Sequence, residues 1–319
     1  MNEIDIKEVR GFRIGCAENA DAATGVTVMI SEKGATAGVD VRGGGPATRE
    51  TDLLKPENMV QEINAVVLSG GSAYGLEASC GVMELLEEKA IGFDVGVGLV
   101  PIVCGASLFD LVVGDSKVRP DKEMGRKACE NAFHGIFEEG NHGAGTGASV
   151  GKYRGPDRMM KSGQGASAIE IGNLQIGAIS AVNALGDVFD SHGKQIAGIL
   201  SEDGASLMST SEIIREDIAR QFDIFKGNTT ISCVITNGRL TKAQCTKLAS
   251  IAHDGYARAI KPVHSTADGD TIFVMASGEV EVNFDALAIL ATEQIIRAIE
   301  NAVRKAEPAY GLKAAKDFE

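Results

Sequence analysis

The chain has 319 residues, enough to bury a large core, and its 44% hydrophobic content is typical of a globular protein rather than a disordered one. Its formal net charge of −13 argues against nucleic acid or an anionic membrane as partner, because both require clustered Lys and Arg. An acidic start without an apolar core predicts no secretory signal, and six scattered cysteines without metal-ligand spacing predict reduced thiols, no structural metal and a cytoplasmic protein.

The first quarter of the chain has the alternation of short β-strands. Residues 25–30 and 35–41 flank Glu32-Lys33-Gly34, and this turn signal predicts an antiparallel hairpin. A glycine-rich loop at residues 42–46 follows, and a compact apolar run at 63–68 predicts a buried strand.

A glycine turn joins this buried strand to a helical pattern. Residues 69–75 read Ser-Gly-Gly-Ser-Ala-Tyr-Gly, and residues 76–86 then carry one apolar stripe. Strand, turn and helix in this order can bind an anion, but the sequence is neither a dinucleotide fingerprint nor a P-loop. The glycine-rich segment 140–148 precedes a strand pattern rather than a helix, which also argues against a nucleotide site and predicts no cofactor.

Hairpin and helix signals alternate through the second half. Strands at 166–171 and 174–184 are joined by Gly172-Asn173, a two-residue hairpin signal. Ser209 caps a polar helix that is predicted to run along the surface to Lys226, which would leave the residues after it in an exposed connection.

The functional prediction rests on the start of one predicted strand, in residues 227–236. A Gly-Asn turn leads into two threonines, and the apolar Ile231, Cys233 and Ile235 would then share one face of the strand. Threonine is common in strands, so the stretch fits an ordinary strand as well as a chain that cuts itself between Asn228 and Thr229. In the second case the freed Thr229 is a nucleophile with its own α-amine as base.

The last third contains one helix, one strand and a second long helix. Thr241 and Gln244 form a capping-box pattern that predicts a helix to about residue 260, followed by a strand at 271–276 and a helix from Asn283. Strands mixed with single long helices, without strict βαβ alternation, predict an α/β sandwich of layered sheets in a single domain, 1–319.

Candidate groups for amide chemistry are scattered along the chain. Asp268 and Asp270 lie two residues apart, and carboxylates this close tend to share a proton and could bind an ammonium group, although a solvated Asp-Gly turn is the alternative. A threonine amidase also needs an oxyanion donor and a cation or amine, which Asn183 and Lys161 could supply. Their spacing alone leaves open whether these groups converge.

The ordered motifs of the chain resemble one known family. The matching segments are Thr24-Gly25-Val26-Thr27-Val28, residues 38–44, residues 48–54, residues 68–76, Val182-Asn183-Ala184, Asn228-Thr229-Thr230 and residues 253–271. They resemble the self-processing peptidases that include L-aminopeptidase/D-Ala-esterase/amidases, β-peptidyl aminopeptidases and nylon-oligomer hydrolases. The Asn-Thr junction and the Asp-Gly-Asp loop are most similar to the nylon-oligomer branch.

This resemblance implies a four-layer αββα sandwich of the N-terminal-nucleophile type that is shared with ornithine acetyltransferase. It implies autocleavage into a large chain, 1–228, and a small chain, 229–319, that stay together. By motif, Thr229 would be the nucleophile, Lys161 and Asn183 would line the site, and Asp268 and Asp270 would hold the α-amine.

The resemblance further implies hydrolysis of small peptides or amides without a cofactor, by processed protomers assembled into a tetramer or larger ring. One departure at residues 104–107 leaves the substrate open among α-peptides, β-peptides, D-amino-acid amides and synthetic oligomers. Two alternatives also stay open: an acyltransferase that passes the acyl group to an amine, and an unprocessed, non-catalytic homologue.

Overall fold

The computed structural model describes residues 1–218 and 227–318. The strands of this described part are, in chain order, β1 Asn2–Glu3, β2 Arg13–Asn19, β3 Thr24–Val41, β4 Ala47–Arg49, β5 Glu62–Ser69, β6 Phe93–Asp94, β7 Leu99–Val100, β8 Val103–Ser107, β9 Ser149–Val150, β10 Met160–Lys161, β11 Gln164–Ile171, β12 Leu174–Ala181, β13 Asp187–Phe189, β14 Gln195–Ala197, β15 Ile231–Gly238, β16 Ile260–Lys261 and β17 Thr271–Val280. Its α-helices are α1 Ala78–Glu88, α2 Lys122–Phe133, α3 Thr210–Asp217, α4 Lys242–Ala259 and α5 Phe284–Arg304.

The hairpin predicted at residues 25–41 is wrong, because this segment is one continuous strand, β3, of 18 residues. The chain passes through the turn signal with a register shift between Ile30 and Ala35 instead of reversing. Gly34 takes a positive φ of 86°, and its carbonyl accepts a hydrogen bond from the Ser31 hydroxyl at 2.9 Å. The turn residues therefore bulge and bend the strand.

The bend in β3 divides the main sheet into two layers. The N-terminal half of β3 lies between β2 and β5, and this layer continues through β8 to β4. The C-terminal half pairs with β17, and from there the second layer runs through β15, β12 and β11 to β1.

Buried apolar side chains show how the layers stack. Ile231, Cys233 and Ile235 of β15 pack with side chains of β2, β5 and β8 in a core between the two sheet layers. Helices α4 and α5 cover the outer face of the β15 layer, and α1 and α2 cover the outer face of the other. The order is helix, sheet, sheet, helix, which confirms the predicted αββα sandwich and the predicted alternation of β15.

Local sequence signals predicted several elements correctly. The β11–β12 hairpin turns where Gly172-Asn173 was expected, and the Thr241–Gln244 capping box is present at the start of α4. Ser209 caps α3, whereas the predicted continuation of this helix to Lys226 falls outside the described residues after 218. Within the described ranges, no helix has the length and apolar character needed to cross a membrane.

Candidate active site

The parallel pairing of β15 with β17 brings two distant motifs together. Ile231 lies opposite Thr271, and the chain just before each strand continues the pairing as a bridge between Asn228 and Asp268. Because parallel strands begin at the same edge of a sheet, the Asn228–Thr229 junction must lie beside the Asp-Gly-Asp loop.

The peptide group between Asn228 and Thr229 is held on both sides. Its N–H donates to the backbone carbonyl of Asn183 at 2.9 Å. Its carbonyl oxygen accepts the N–H of Gly269 at 2.9 Å and also the hydroxyl of Thr229 itself. Asn228 is only 1% exposed and Thr229 only 4%, so the expectation of an exposed connection is wrong at this bond.

Two carboxylates stand next to this peptide. Asp270 accepts the N–H of Thr230 through Oδ1 at 2.9 Å, and Asp268 accepts the N–H of Ser265 through Oδ2 at 2.7 Å. Burial raises the pKa of Asp268, and the nearby charge of Asp270 raises it further. Only the second and smaller contribution, from the charge of Asp270, is the one that the spacing of the pair predicts.

The glycine-rich loop at residues 42–46 supports the two aspartates from behind. The N–H groups of Arg42 and Gly43 donate to the carbonyl of Asp270, and that of Gly45 donates to the carbonyl of Asp268 at 2.8 Å. A Cβ at Gly43 would collide with the backbone of Asp268 and Asp270. Glycine is therefore required here for close backbone approach.

Asn183 and Lys152 lie on the other side of Thr229. The side-chain oxygen of Asn183 accepts the Ser149 N–H at 3.1 Å and the Lys152 ammonium, while its Nδ2 donates to the Phe109 carbonyl at 2.8 Å. Lys152 Nζ also donates to the carbonyls of Asn183, at 3.1 Å, and Gly227, at 3.2 Å. Burial lowers the pKa of Lys152 to about 7, against the opposing pull of Asp268 and Asp110.

Lys161 is equally buried but has different partners. Its Nζ donates to the backbone carbonyls of Gly145, at 3.2 Å, of Ala148, at 3.1 Å, and of Ser162. Burial lowers the pKa of Lys161 to about 7 as well. In the described part of the chain it makes no hydrogen bond to Thr229 or Asn183.

A cleft of about 350 Å³ opens onto Thr229. Phe109, Ser72, Thr266 and Ala47 are among the residues that line it together with the Asn228–Thr229 peptide. A hydroxyl at the floor of a cleft, beside a hydrogen-bonded carbonyl and two carboxylates, can carry out acyl transfer.

Comparison with known proteins assigns this arrangement to a family. The model of Peptidase family S58 matches residues 4–316. The chain belongs to peptidase family S58. It is a hydrolase that acts on peptide or amide bonds.

Two named relatives are similar to the chain over most of their length. The chain is 39% identical over 298 residues to an uncharacterized aminopeptidase of Mycobacterium leprae (strain TN), covering 88% of this chain and 80% of the relative. It is 32% identical over 304 residues to a 6-aminohexanoate-oligomer endohydrolase of Agromyces sp. (strain KY5R), covering 91% and 83%.

Solved structures confirm the fold of this S58 chain. The L-aminopeptidase D-Ala-esterase/amidase of Ochrobactrum anthropi, described as a variant of the Ntn hydrolase fold, aligns with a TM-score of 0.70 at 20% identity, covering 95% of this chain and 86% of that one. A Burkholderia sp. beta-aminopeptidase aligns with the same TM-score at 19% identity, covering 97% and 90%.

The structure brings four of the five residues predicted from the sequence together and leaves Lys161 without a hydrogen bond to them among the described residues. The Thr229 N–H donates to the Asn183 carbonyl, the Gly269 N–H donates to the Asn228 carbonyl, and Asp268 and Asp270 flank the Asn228–Thr229 peptide. Lys152 is the residue that sequence reasoning missed. The only local feature that marks it is the glycine before it. In the structure Gly151 has a positive φ of 70° and starts the turn that directs Lys152 to Asn183.

Proposed function

We propose that this S58 hydrolase cuts its own chain between Asn228 and Thr229, and that the freed Thr229 is the nucleophile for amide substrates. The observation that carries the proposal is the position of the Thr229 hydroxyl against the carbonyl of Asn228, on an oxygen that Gly269 N–H also binds at 2.9 Å. The products are chains 1–228 and 229–319, which remain one domain because β15 pairs with strands from both sides of the cut.

The cut is an N→O acyl shift followed by hydrolysis. Thr229 Oγ1 attacks the carbonyl carbon of Asn228, the C–N bond breaks, and the hydroxyl proton passes to the leaving nitrogen. Gly269 N–H stabilises the oxyanion that forms on the Asn228 oxygen. Water then hydrolyses the ester, which leaves a carboxylate on Asn228 and a free α-amine on Thr229.

In the mature enzyme the α-amine of Thr229 accepts the hydroxyl proton as Oγ1 attacks a substrate carbonyl in the cleft. Asn183 offers its backbone carbonyl to that amine, since the same oxygen binds the Thr229 nitrogen at 2.9 Å before the cut. The second N–H of its side-chain amide is the oxyanion donor that we expect from the sequence. The protonated leaving amine departs, and water releases the acyl group.

Two titratable groups flank Thr229 and suit proton exchange at neutral pH. Lys152 has its pKa lowered to about 7 by burial, and burial together with the charge of Asp270 raises the pKa of Asp268. We assign Lys152 rather than Lys161 to this role, because Lys152 bonds to Asn183 and Gly227 beside the scissile peptide.

Small peptides or short amides are the proposed substrates. A cleft of about 350 Å³ accommodates a short acyl segment. The similarity to a relative named for 6-aminohexanoate oligomers supports testing such linear amides beside dipeptides and amino-acid amides.

The decisive experiment replaces the nucleophile. Thr229→Ala is expected to yield one uncut chain without amidase activity, whereas Thr229→Ser retains a hydroxyl and is expected to cut. Intact mass spectrometry reads the cut, and product analysis reads the activity. Normal fragments from Thr229→Ala contradict the proposal.

Self-association in the cytoplasm is the last element of the proposal. Strands β6 and β7 form a small hairpin whose Phe93, Val95 and Val97 are exposed, Val97 at 97%. Such apolar exposure on a two-stranded hairpin fits contact between copies of this chain, and the free state of all six cysteines agrees with a reducing compartment. Light scattering of Val97→Asp tests the assembly: we expect a smaller particle, and an unchanged mass excludes this hairpin as a contact.

A further inference from the structure

We propose that His264 is a positioning residue that holds Asp270 in the orientation that fixes the N-terminal segment of β15. This role rests on the proposed function, because it matters for catalysis only if Thr229 is the nucleophile. The inference depends on a series of hydrogen bonds from the imidazole to the backbone next to Thr229.

The chain of contacts starts at the carboxylate of Asp270. One oxygen, Oδ1, accepts the N–H of Thr230, the residue directly after the nucleophile, at 2.9 Å. The other oxygen, Oδ2, accepts two hydrogen bonds from His264, from the backbone N–H at 3.1 Å and from ring Nδ1 at 2.8 Å. Rotation of this carboxylate away from Thr230 would therefore break its bonds to His264.

His264 has a left-handed backbone conformation. Its φ is +58°, in the left-handed region where residues other than glycine are uncommon. Its ring packs edge-on against His253, with centroids 4.8 Å apart, and stacks near Tyr256 at 5.9 Å. Such strain persists only where surrounding contacts hold it, and it concentrates at functional sites.

Within the described part of the chain, the imidazole ring of His264 forms a hydrogen bond with Asp270 alone. Among the described residues, Nε2 of His264 is buried and has no hydrogen-bond partner, so the only polar contact of the ring is through Nδ1. His253 points elsewhere, since its Nε2 donates to the carbonyl of Asp40 at 3.0 Å. This arrangement suits a residue that holds the Asp270 carboxylate in one orientation. It provides no hydrogen-bonded path along which His264 could pass a proton onward.

Cleavage of the chain increases the need for such a restraint. Before the cut, Thr229 is joined covalently to Asn228. Afterwards its position depends on the Asn183 carbonyl that binds its nitrogen and on the Thr230 backbone, which Asp270 and the N–H of Thr271 hold by hydrogen bonds. Because a misplacement of about 1 Å can cost about 100-fold in rate, loss of the His264 bond should lower turnover more than substrate affinity.

Two matched substitutions separate positioning from packing. Both Gly and Asn tolerate the left-handed φ, so neither adds backbone strain. His264→Asn keeps a side-chain N–H at the place of Nδ1, and His264→Gly removes it. Self-cleavage rate, kcat and KM are measured on short amides, with thermal unfolding as the check on folding.

We expect His264→Gly to cut slowly or to lose about 10- to 100-fold in kcat with KM little changed, and His264→Asn to recover most of this loss. Wild-type cutting and kcat in His264→Gly overturn the inference, and so does equal impairment of both variants. Failure of the nucleophile proposal shows separately, as cutting or turnover by Thr229→Ala.

Discussion

Substitution of Gly269 by alanine tests the geometry of the hydrogen bonds around the Asn228–Thr229 peptide. A Cβ at this position would lie 2.7 Å from Thr229 Oγ1, 3.0 Å from the Gly45 carbonyl oxygen and 3.2 Å from Pro46 Cα. Since an oxygen cannot stay that close to a methyl carbon, the Thr229 hydroxyl must move. Overpacking of this kind typically costs about 1–3 kcal/mol of stability, which a folded domain of this size should survive.

The effect on chemistry should exceed the effect on folding. A displacement of the hydroxyl by several tenths of an ångström to about 1 Å, with the Gly269 N–H displaced as well, predicts self-cleavage slowed about 100-fold. Cell-free synthesis followed by gel electrophoresis and intact mass over time gives the rate. Gly45→Ala is the matched control, because its Cβ would meet only the Asp268 carbonyl at an ordinary 3.8 Å. Wild-type cutting by a folded Gly269→Ala protein would refute this reasoning.

The remaining predictions concern the two buried lysines. Lys152→Met should slow self-cleavage at least about tenfold and lower the free energy of unfolding by about 1–3 kcal/mol, because it leaves the Asn183 side-chain oxygen one donor short. Lys161→Met should lower the melting temperature, but the protein should still cut itself. The reverse pattern would assign the site to Lys161. The folded-state pKa of Lys152, about 7 against an ordinary 10.5, means that the unfolded chain binds more protons between these values, so the free energy of unfolding should rise with pH. In the uncut Thr229→Ala background, urea titrations at pH 7.5 and 8.5 should give a slope about 1.4 kcal/mol per pH unit steeper than in the same background with Lys152→Met; equal slopes would contradict the lowered pKa.

The error at β3 shows where local signals fail. Glu32-Lys33-Gly34 has the composition of a turn, yet β5 pairs across it, and the two flanking segments differ in their other neighbour, which is β2 before the turn signal and β17 after it. Local residues determine that the backbone bends here. Only the long-range pairing determines whether the bend reverses the chain or carries it from one sheet layer into the other.

The candidate site also depends partly on motifs that are visible in the sequence and partly on long-range contacts that are not. The Asn228–Thr229 junction and the Asp268–Asp270 loop were recognisable as motifs, but their meeting depends on parallel pairing of strands whose first residues are 40 positions apart. Lys152 had no motif at all. It reaches Asn183 because Gly151 and Lys152 donate backbone N–H groups to the carbonyls of Gly186 and Leu185, a contact that no local pattern encodes.

Burial of the Asn228–Thr229 bond changes the physical account of how the proposed self-cleavage would occur. An exposed, loosely held peptide would leave the hydroxyl free to sample many orientations and its carbonyl bonded to water. Here the N–H, the carbonyl and the hydroxyl of the Asn228–Thr229 peptide are each fixed by Asn183, Gly269 or one another. Donors already in place around a carbonyl need no reorganisation as charge develops on it, and that advantage is greatest where water is excluded. The rigid start of a buried strand is therefore a better place for this reaction than a flexible loop, and it leaves the new amine beside the groups that would use it.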